Sequence, residues 1–447
     1  MKILVVGNGF DLAHNLPTSY LACLRFLGIA YSMGETRDFS YWQSRLWRDR
    51  SRMDKDLEIL ADEHISFLKK YLAFILELDH YLGDRQCDVF ILHECIKRNL
   101  WLLHFEECQK RNHNIRRNWI DFESEISLVI QMMELTLKQA KESSLTTNEL
   151  EENFFSGQDL KQYPYFKVLG SEIMSYIRRS FSESVSVDVA KSSLIDKLYE
   201  DLTKFTTAIE IYLKICTKIA VEKTLEDIEA IGDIDKIVSF NYTDTFRKYL
   251  TNNANSIENI CYVHGQIRDK ISDNESPLVL GIDEYLGDEA RDQDVEWAAF
   301  KKYFQRLYKH TDCSYLNWFT SSSFPPNQQP VSQLYIYGHL LDITDKDILR
   351  ELILRDNQVT TIFYRNAEQL GKELKNMLKV IGHAELNKRM RSTKPTIFFK
   401  KQFGSESVQP PKQENDCSNQ QMHENFLIGI FKILVHFIAT ILGHFPP

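Results

Sequence analysis

The chain shows no basic surplus, no C-x-x-C pair, no signal-type n-region before its first apolar run and no fixed-period repeat. Each absence excludes something. A formal net charge of −9 at pH 7 argues against broad, non-specific binding to nucleic acid, which needs a basic face. It leaves room for an anionic ligand held by backbone amides. Eight cysteines stand at 23, 87, 95, 108, 216, 261, 313 and 417, and none are spaced as a zinc ribbon or a redox pair. No H-x-x-x-H spacing accompanies the acidic residues either, so no metal is expected. Without a basic n-region or cleavage site before the first apolar run, the expectation is a cytoplasmic chain with reduced, buried thiols.

What is present is organised around the first stretch, MKILVVGNGFDLAHNLPTSY. Ile3 to Val6 is short, apolar and mostly β-branched, which predicts a strand buried on both faces of a parallel sheet. It stops at Gly7-Asn8-Gly9, where the backbone can turn tightly and offer its N–H groups without a Cβ in the way. A helix starting at Phe10 would direct its positive end at the crevice above the strand, where a phosphate fits. The dinucleotide fingerprint wants a third glycine three residues after Gly9, and Leu12 stands there instead. A turn that serves only packing is therefore the competing reading.

Residues 1–38 read as the first βα unit of a nucleotide-binding domain. From 39 to 230 glycine and proline become rare, and apolar residues recur at helical spacing, as in Leu57, Leu60, Ile65, Leu68 and Leu72. This predicts a large all-helical insertion. Strand texture returns over 231–403, at Lys236–Phe240, Ile260–Val263, Leu278–Leu280, Leu334–Tyr337, Thr360–Phe363 and Thr396–Phe399. Helical stretches at Asp345–Leu354 and Ala367–Ile381 alternate with the later strands. The fold class is α/β, with a mostly parallel, Rossmann-like sheet. A polar linker covers 404–425, and an apolar tail ends the chain at 426–447. Within that tail Phe426–Phe445 is long enough to cross a bilayer, but Lys432 interrupts it at about 2.5–3.5 kcal/mol. Membrane association and a self-associating or buried helix both remain open for it.

Ligands of such sheets bind above the carboxyl ends of the strands, and several polar residues fall there. Asn241 follows one strand and can both donate and accept hydrogen bonds. His264 ends the next, before Gly265, placed for a proton shuttle. Asp283 follows Leu278–Leu280. After Tyr337 come Gly338, His339 and Asp342, with Asp345 read as a helix cap and Asp342 as reaching the crevice. In the insertion, Asp121 and Glu125 would share a helix face, whereas Asp121 and Glu123 would not. A solvated surface is the commoner fate of such acidic groups.

In combination, GNGFDLAHNLPTSY at 7–20, NWIDFE at 118–123, SFNYTDTF at 239–246, YVHG at 262–265, LGID at 280–283 and YGHLLDITDKD at 337–347 resemble the bacteriophage abortive infection AbiH family. The likeness runs to about Lys401, with Leu340 where the family pattern usually has serine. It implies defence against phage, in which the infected cell is arrested or killed, with a phage-derived trigger as a partner. A second, motif-level similarity is to sirtuin-like NAD-binding domains, carried by Gly-x-Gly, then Leu-Pro, Asn-Tyr and His-Gly. It implies NAD as substrate. Gly7, Asn8, Gly9 and Asp11 would then lie along pyrophosphate and ribose, with Asn241 and His264 catalytic. Asp283, Gly338, His339 and Asp342 would complete the nucleotide site. The expected activity is hydrolysis of NAD to nicotinamide and ADP-ribose. The alternatives are a nucleotide-binding sensor without turnover, self-associating or phage-binding, and a metal-dependent nuclease-type toxin using Asp121 and Glu123.

Overall fold

The computed structural model describes residues 1–36, 88–114, 121–142, 169–171, 187–217, 225–249, 259–271, 275–282, 296–319 and 331–403. Asp283, the linker and the apolar tail lie outside them. Six strands form one all-parallel sheet in the order β3-β2-β1-β4-β5-β6. They are β1 (Lys2–Val6), β2 (Lys236–Ser239), β3 (Ile260–Tyr262), β4 (Ser332–Tyr337), β5 (Gln358–Tyr364) and β6 (Ile397–Lys401). This is the doubly wound, Rossmann-like order, and its direction of winding reverses between β1 and β4.

Helix α1 (Asn8–Ala13) follows β1 directly. Between it and β2 come α2 (Tyr20–Thr36), α3 (Asp88–Ile96), α4 (Leu100–Asn114), α5 (Phe122–Glu142), α6 (Val187–Cys216) and the short α7 (Glu226–Glu229). Helix α8 (Thr245–Tyr249) follows β2, and α9 (Lys302–Tyr308) precedes β4. The remaining helices are α10 (Lys346–Ile353), α11 (Ala367–Ile381) and α12 (His383–Arg391).

The central strand explains its own composition. Ile3 and Val5 share a core with Val238, Leu334, Ile336 and the α10 residues Ile348 and Leu352. Leu4 and Val6 share the opposite one with Phe10, Ile228 and Phe246. The Ile3, Leu4, Val5 and Val6 side chains are fully buried, each contributing about 1.5–3 kcal/mol. Covered on both faces, these four positions favour apolar residues. A third core joins Phe26, Trp101, Phe105, Phe122 and Phe205 of the long helices to Leu278, Leu280, Trp297 and Phe300. It ties the helices between β1 and β2 to loops at the strand ends, within one compact unit, Met1–Phe403.

Leu278–Leu280, expected as a strand, joins no ladder. Its backbone groups are met another way: Val279 N donates to the His264 carbonyl, and the Gln305 amide brackets both N and O of Leu280. Among the described cysteines, Cys23, Cys95, Cys108, Cys216 and Cys261 are buried as expected, whereas Cys313 is exposed.

At the winding reversal the loops after β1 and β4 touch backbone to backbone. Gly338 has φ +70°, and a Cβ added there would lie 2.3 Å from Phe10 N. Gly338→Ala combines left-handed strain with that clash, and is expected to cost roughly 2 kcal/mol or more in urea unfolding.

Candidate functional site

The glycine turn has a use other than the expected one. Gly7 N donates to the Tyr337 carbonyl at 3.1 Å and Gly9 N to the Gly338 carbonyl at 2.8 Å. A Cβ on Gly7 would meet Gly338 O at 2.7 Å. These amides, expected to hold a pyrophosphate, clasp two loops instead. Asn8 is exposed, and its side chain is paired with Thr18 through Nδ2 to the carbonyl and Oδ1 to the hydroxyl.

Behind the turn lies a first polar network. Asp11 is carried inward by α1 and is 1% exposed. Its Oδ1 accepts from Asn241 Nδ2 at 3.1 Å and its Oδ2 from Thr243 Oγ1 at 2.6 Å. Asn241 is held in turn by Ser239, whose hydroxyl bonds both its N–H and its carbonyl. Burial raises the Asp11 carboxyl to about 6, although Thr243, Thr245 and Asn241 pull it down. The sign follows directly. Below about pH 4 Asp11 is protonated whether folded or unfolded, and its burial carries no charge penalty. Between about pH 4 and about pH 6 the unfolded chain ionises Asp11 while the folded protein keeps it protonated, so up to ~3 kcal/mol of stability is lost as pH rises to the folded value. Against Asp11→Asn, the wild type should therefore lose that amount between pH 4 and pH 7 in chemical unfolding. A difference that stays flat with pH would place Asp11 in contact with water.

A second network gathers around Lys302 and Asp345, with Phe240, the neighbour of Asn241 in sequence, against its imidazoles. Lys302 of α9 is buried, with Nζ 2.8 Å from Glu123 Oε1, 3.0 Å from Asp345 Oδ1 and 3.0 Å from Thr344 Oγ1. Thr344 donates to Glu123 Oε2 at 2.7 Å. His339 accepts the Leu341 N–H on Nδ1 at 2.9 Å, which leaves its proton on Nε2, donated to Asp345 Oδ2 at 3.3 Å. His264 Nε2 lies 2.9 Å from Asp345 Oδ1, but a proton on that nitrogen would point past the oxygen. The Phe240 ring contacts both imidazoles, and Tyr20 stacks on Phe122 beside Glu123.

The electrostatics are those of a dry cluster. Burial pushes His264 down to about 4, helped by Lys302 and opposed by Asp345, so it is neutral at pH 7. Burial alone would raise Asp345, but the Lys302 charge, with the hydrogen bond from His339, outweighs it and holds the carboxyl well below its usual range. Burial would likewise lower Lys302, and its two carboxylates more than reverse that. Glu123 is raised to about 7, burial prevailing over Lys302.

Of the strand-end residues, Asn241 pairs with Asp11 in the first network, His264 and His339 meet at Asp345 in the second, and Gly338 receives the Gly9 N–H. Asp342 and Asp345 exchange their expected roles: Asp342 Oδ1 caps the following turn by accepting from Thr344 N, while Asp345 enters the cluster. The acidic trio of the helical region divides three ways. Asp121 caps α5, accepting from the N–H groups of Glu123 and Ser124. Glu123 enters the cluster, and Glu125 faces His104 and Cys108. Lys302 was not legible as a site residue, since a lone lysine in a helix signals solvent.

The family model described as Bacteriophage abortive infection AbiH matches residues 3–365, a span that includes β1 to β5 and every side chain of both networks. No curated protein and no solved structure matches the chain.

Proposed function

Since the chain belongs to the bacteriophage abortive infection AbiH family, we propose that it serves abortive infection by hydrolysing NAD to nicotinamide and ADP-ribose. One observation carries the reading: two polar networks sit at the carboxyl ends of a 3-2-1-4-5-6 sheet, where doubly wound folds bind nucleotides. The motif-level likeness to NAD-binding domains makes NAD the first nucleotide to test.

In this proposal the C1′–nitrogen bond breaks with its electron pair leaving on nicotinamide, which departs neutral. The oxygen of a water bonds to C1′, and its proton passes to solvent. The ionised Asp345 and Asp11 favour the positive charge that develops on the ribose. With Nδ2 committed to Asp11, Asn241 offers its carbonyl oxygen to a ribose hydroxyl or the water. His264, neutral but weakly basic, suits accepting a hydrogen bond from a hydroxyl.

The test is nicotinamide release from NAD by the purified full chain, followed by chromatography and repeated in phage-infected cells, where a phage-derived trigger is present. Release that is lost in His264→Ala supports the reading. Level NAD in infected cells that still die removes it.

The second reading is a nucleotide-binding sensor without turnover. Saturable binding of NAD with no nicotinamide release would select it. A nuclease using Asp121 and Glu123 fits poorly, because the Lys302 ammonium fills the place beside Glu123 that a divalent cation would take. Among the described residues no helix is long and apolar enough to cross a membrane. Membrane association or self-association through 426–445 is a further proposal, tested by fractionating cells with the full chain and with a chain ending before Phe426.

A further inference from the structure

We propose that His104, Cys108 and Glu125 form a binding site for a divalent transition cation of the zinc class. His104 and Cys108 stand at i and i+4 on one face of α4, and Glu125 meets them from α5. Their donor atoms form a near-regular triangle: His104 Nε2 to Cys108 Sγ is 3.5 Å, Cys108 Sγ to Glu125 Oε2 3.6 Å, and His104 Nε2 to Glu125 Oε2 3.6 Å. A tetrahedral zinc with ordinary Zn–N, Zn–S and Zn–O bonds has donor–donor edges of ~3.3–3.6 Å. The three atoms therefore already lie at the corners of one face of such a tetrahedron.

The ligand chemistry selects the ion. Imidazole with thiolate suits zinc and its neighbours and disfavours calcium and magnesium. Three protein ligands leave one position for water or a ligand. His104 is fully buried, whereas the Glu125 side chain is 21% exposed, so that position opens on the Glu125 side. Binding would displace the Cys108 thiol proton to solvent and leave imidazole neutral.

The site would also act on the ionised cluster. Glu125 lies two residues after Glu123 on α5, so a cation fastening α4 to α5 would fix the helix that presents Glu123 to Lys302.

The probe is cobalt(II) added to metal-stripped full-length protein. A folded wild type should bind it with intense visible bands and a near-ultraviolet thiolate-to-cobalt band, both removed by added zinc. Cys108→Ser should lose the thiolate band, and Glu125→Gln, at a partly exposed position, should bind at least roughly tenfold more weakly. Zinc should raise the thermal midpoint of the wild type and not that of Cys108→Ser. Circular dichroism keeps the variants interpretable by reporting their fold. A folded wild type without a thiolate band, or a band that survives in folded Cys108→Ser, overturns the site and leaves a hydrogen-bonded His–Cys–Glu cluster.

Discussion

Lys302→Met is expected to lower the unfolding free energy by about 3–5 kcal/mol at neutral pH. Lys302 is 2% exposed, and its ammonium lies within 3.0 Å of carboxylate oxygens on two different elements, Glu123 of α5 and Asp345 beyond β4. Methionine nearly matches lysine in volume, so the substitution leaves little cavity. What it leaves is negative charge without a countercharge, in a largely buried place. Attraction to Lys302 is what keeps Asp345 ionised against its own burial. The double variant Lys302→Met, Glu123→Gln removes one of the stranded charges and should recover part of the loss. Lys302→Arg keeps the charge but spreads it over a planar fork, and should cost less than Met. Urea unfolding of the four proteins decides the matter. A loss under about 1 kcal/mol for Lys302→Met would match an exposed ion pair and contradict the buried cluster.

That cluster also shows where reading the sequence stops. All six strands were legible, β1 most plainly, because a strand covered on both faces favours apolar residues, as at Ile3–Val6. Leu278–Leu280 has the same composition and is not a strand, because a side chain, Gln305, meets the backbone that a neighbouring strand would have met. Asn241, His264 and His339 were legible by position, since polar residues after buried strands point into the crevice. Lys302 and Glu123 were not. In α9 the usual pattern is inverted: Lys302 and Gln305 are buried, while Tyr303, Leu307 and Tyr308 are exposed. Periodicity assigns the apolar residues to the core, and here tertiary partners, Glu123 and Asp345 for Lys302 and the Leu280 backbone for Gln305, reverse it. Asp342 and Asp345 were confused for a related reason. Either can cap the turn, and only the direction in which the chain leaves β4 decides which one faces His264. His104 and Cys108 offered a signal, the i, i+4 spacing on one helix, but their third partner comes from another helix.

Asn241→Ala is expected to reduce nicotinamide release from NAD by about 10²–10³-fold while the protein still folds. The difficulty is that Asn241 also supports Asp11, so loss of activity alone would not separate a reacting role from a structural one. Thr243→Val supplies the control. Both substitutions take one hydrogen bond from the same buried carboxylate, and each should cost about 1.5–3 kcal/mol of stability. Thr243 donates its hydroxyl proton to Asp11, and the proposal gives it no atom on the substrate. Asn241 keeps a carbonyl oxygen that Asp11 does not use. If that oxygen holds the ribose or the attacking water, the two variants unfold alike and react differently, with release surviving in Thr243→Val. Equal losses of release in both would make Asn241 a partner of Asp11 and nothing more. The reacting atoms would then have to meet the Asp345 side of the site, through His264 and His339.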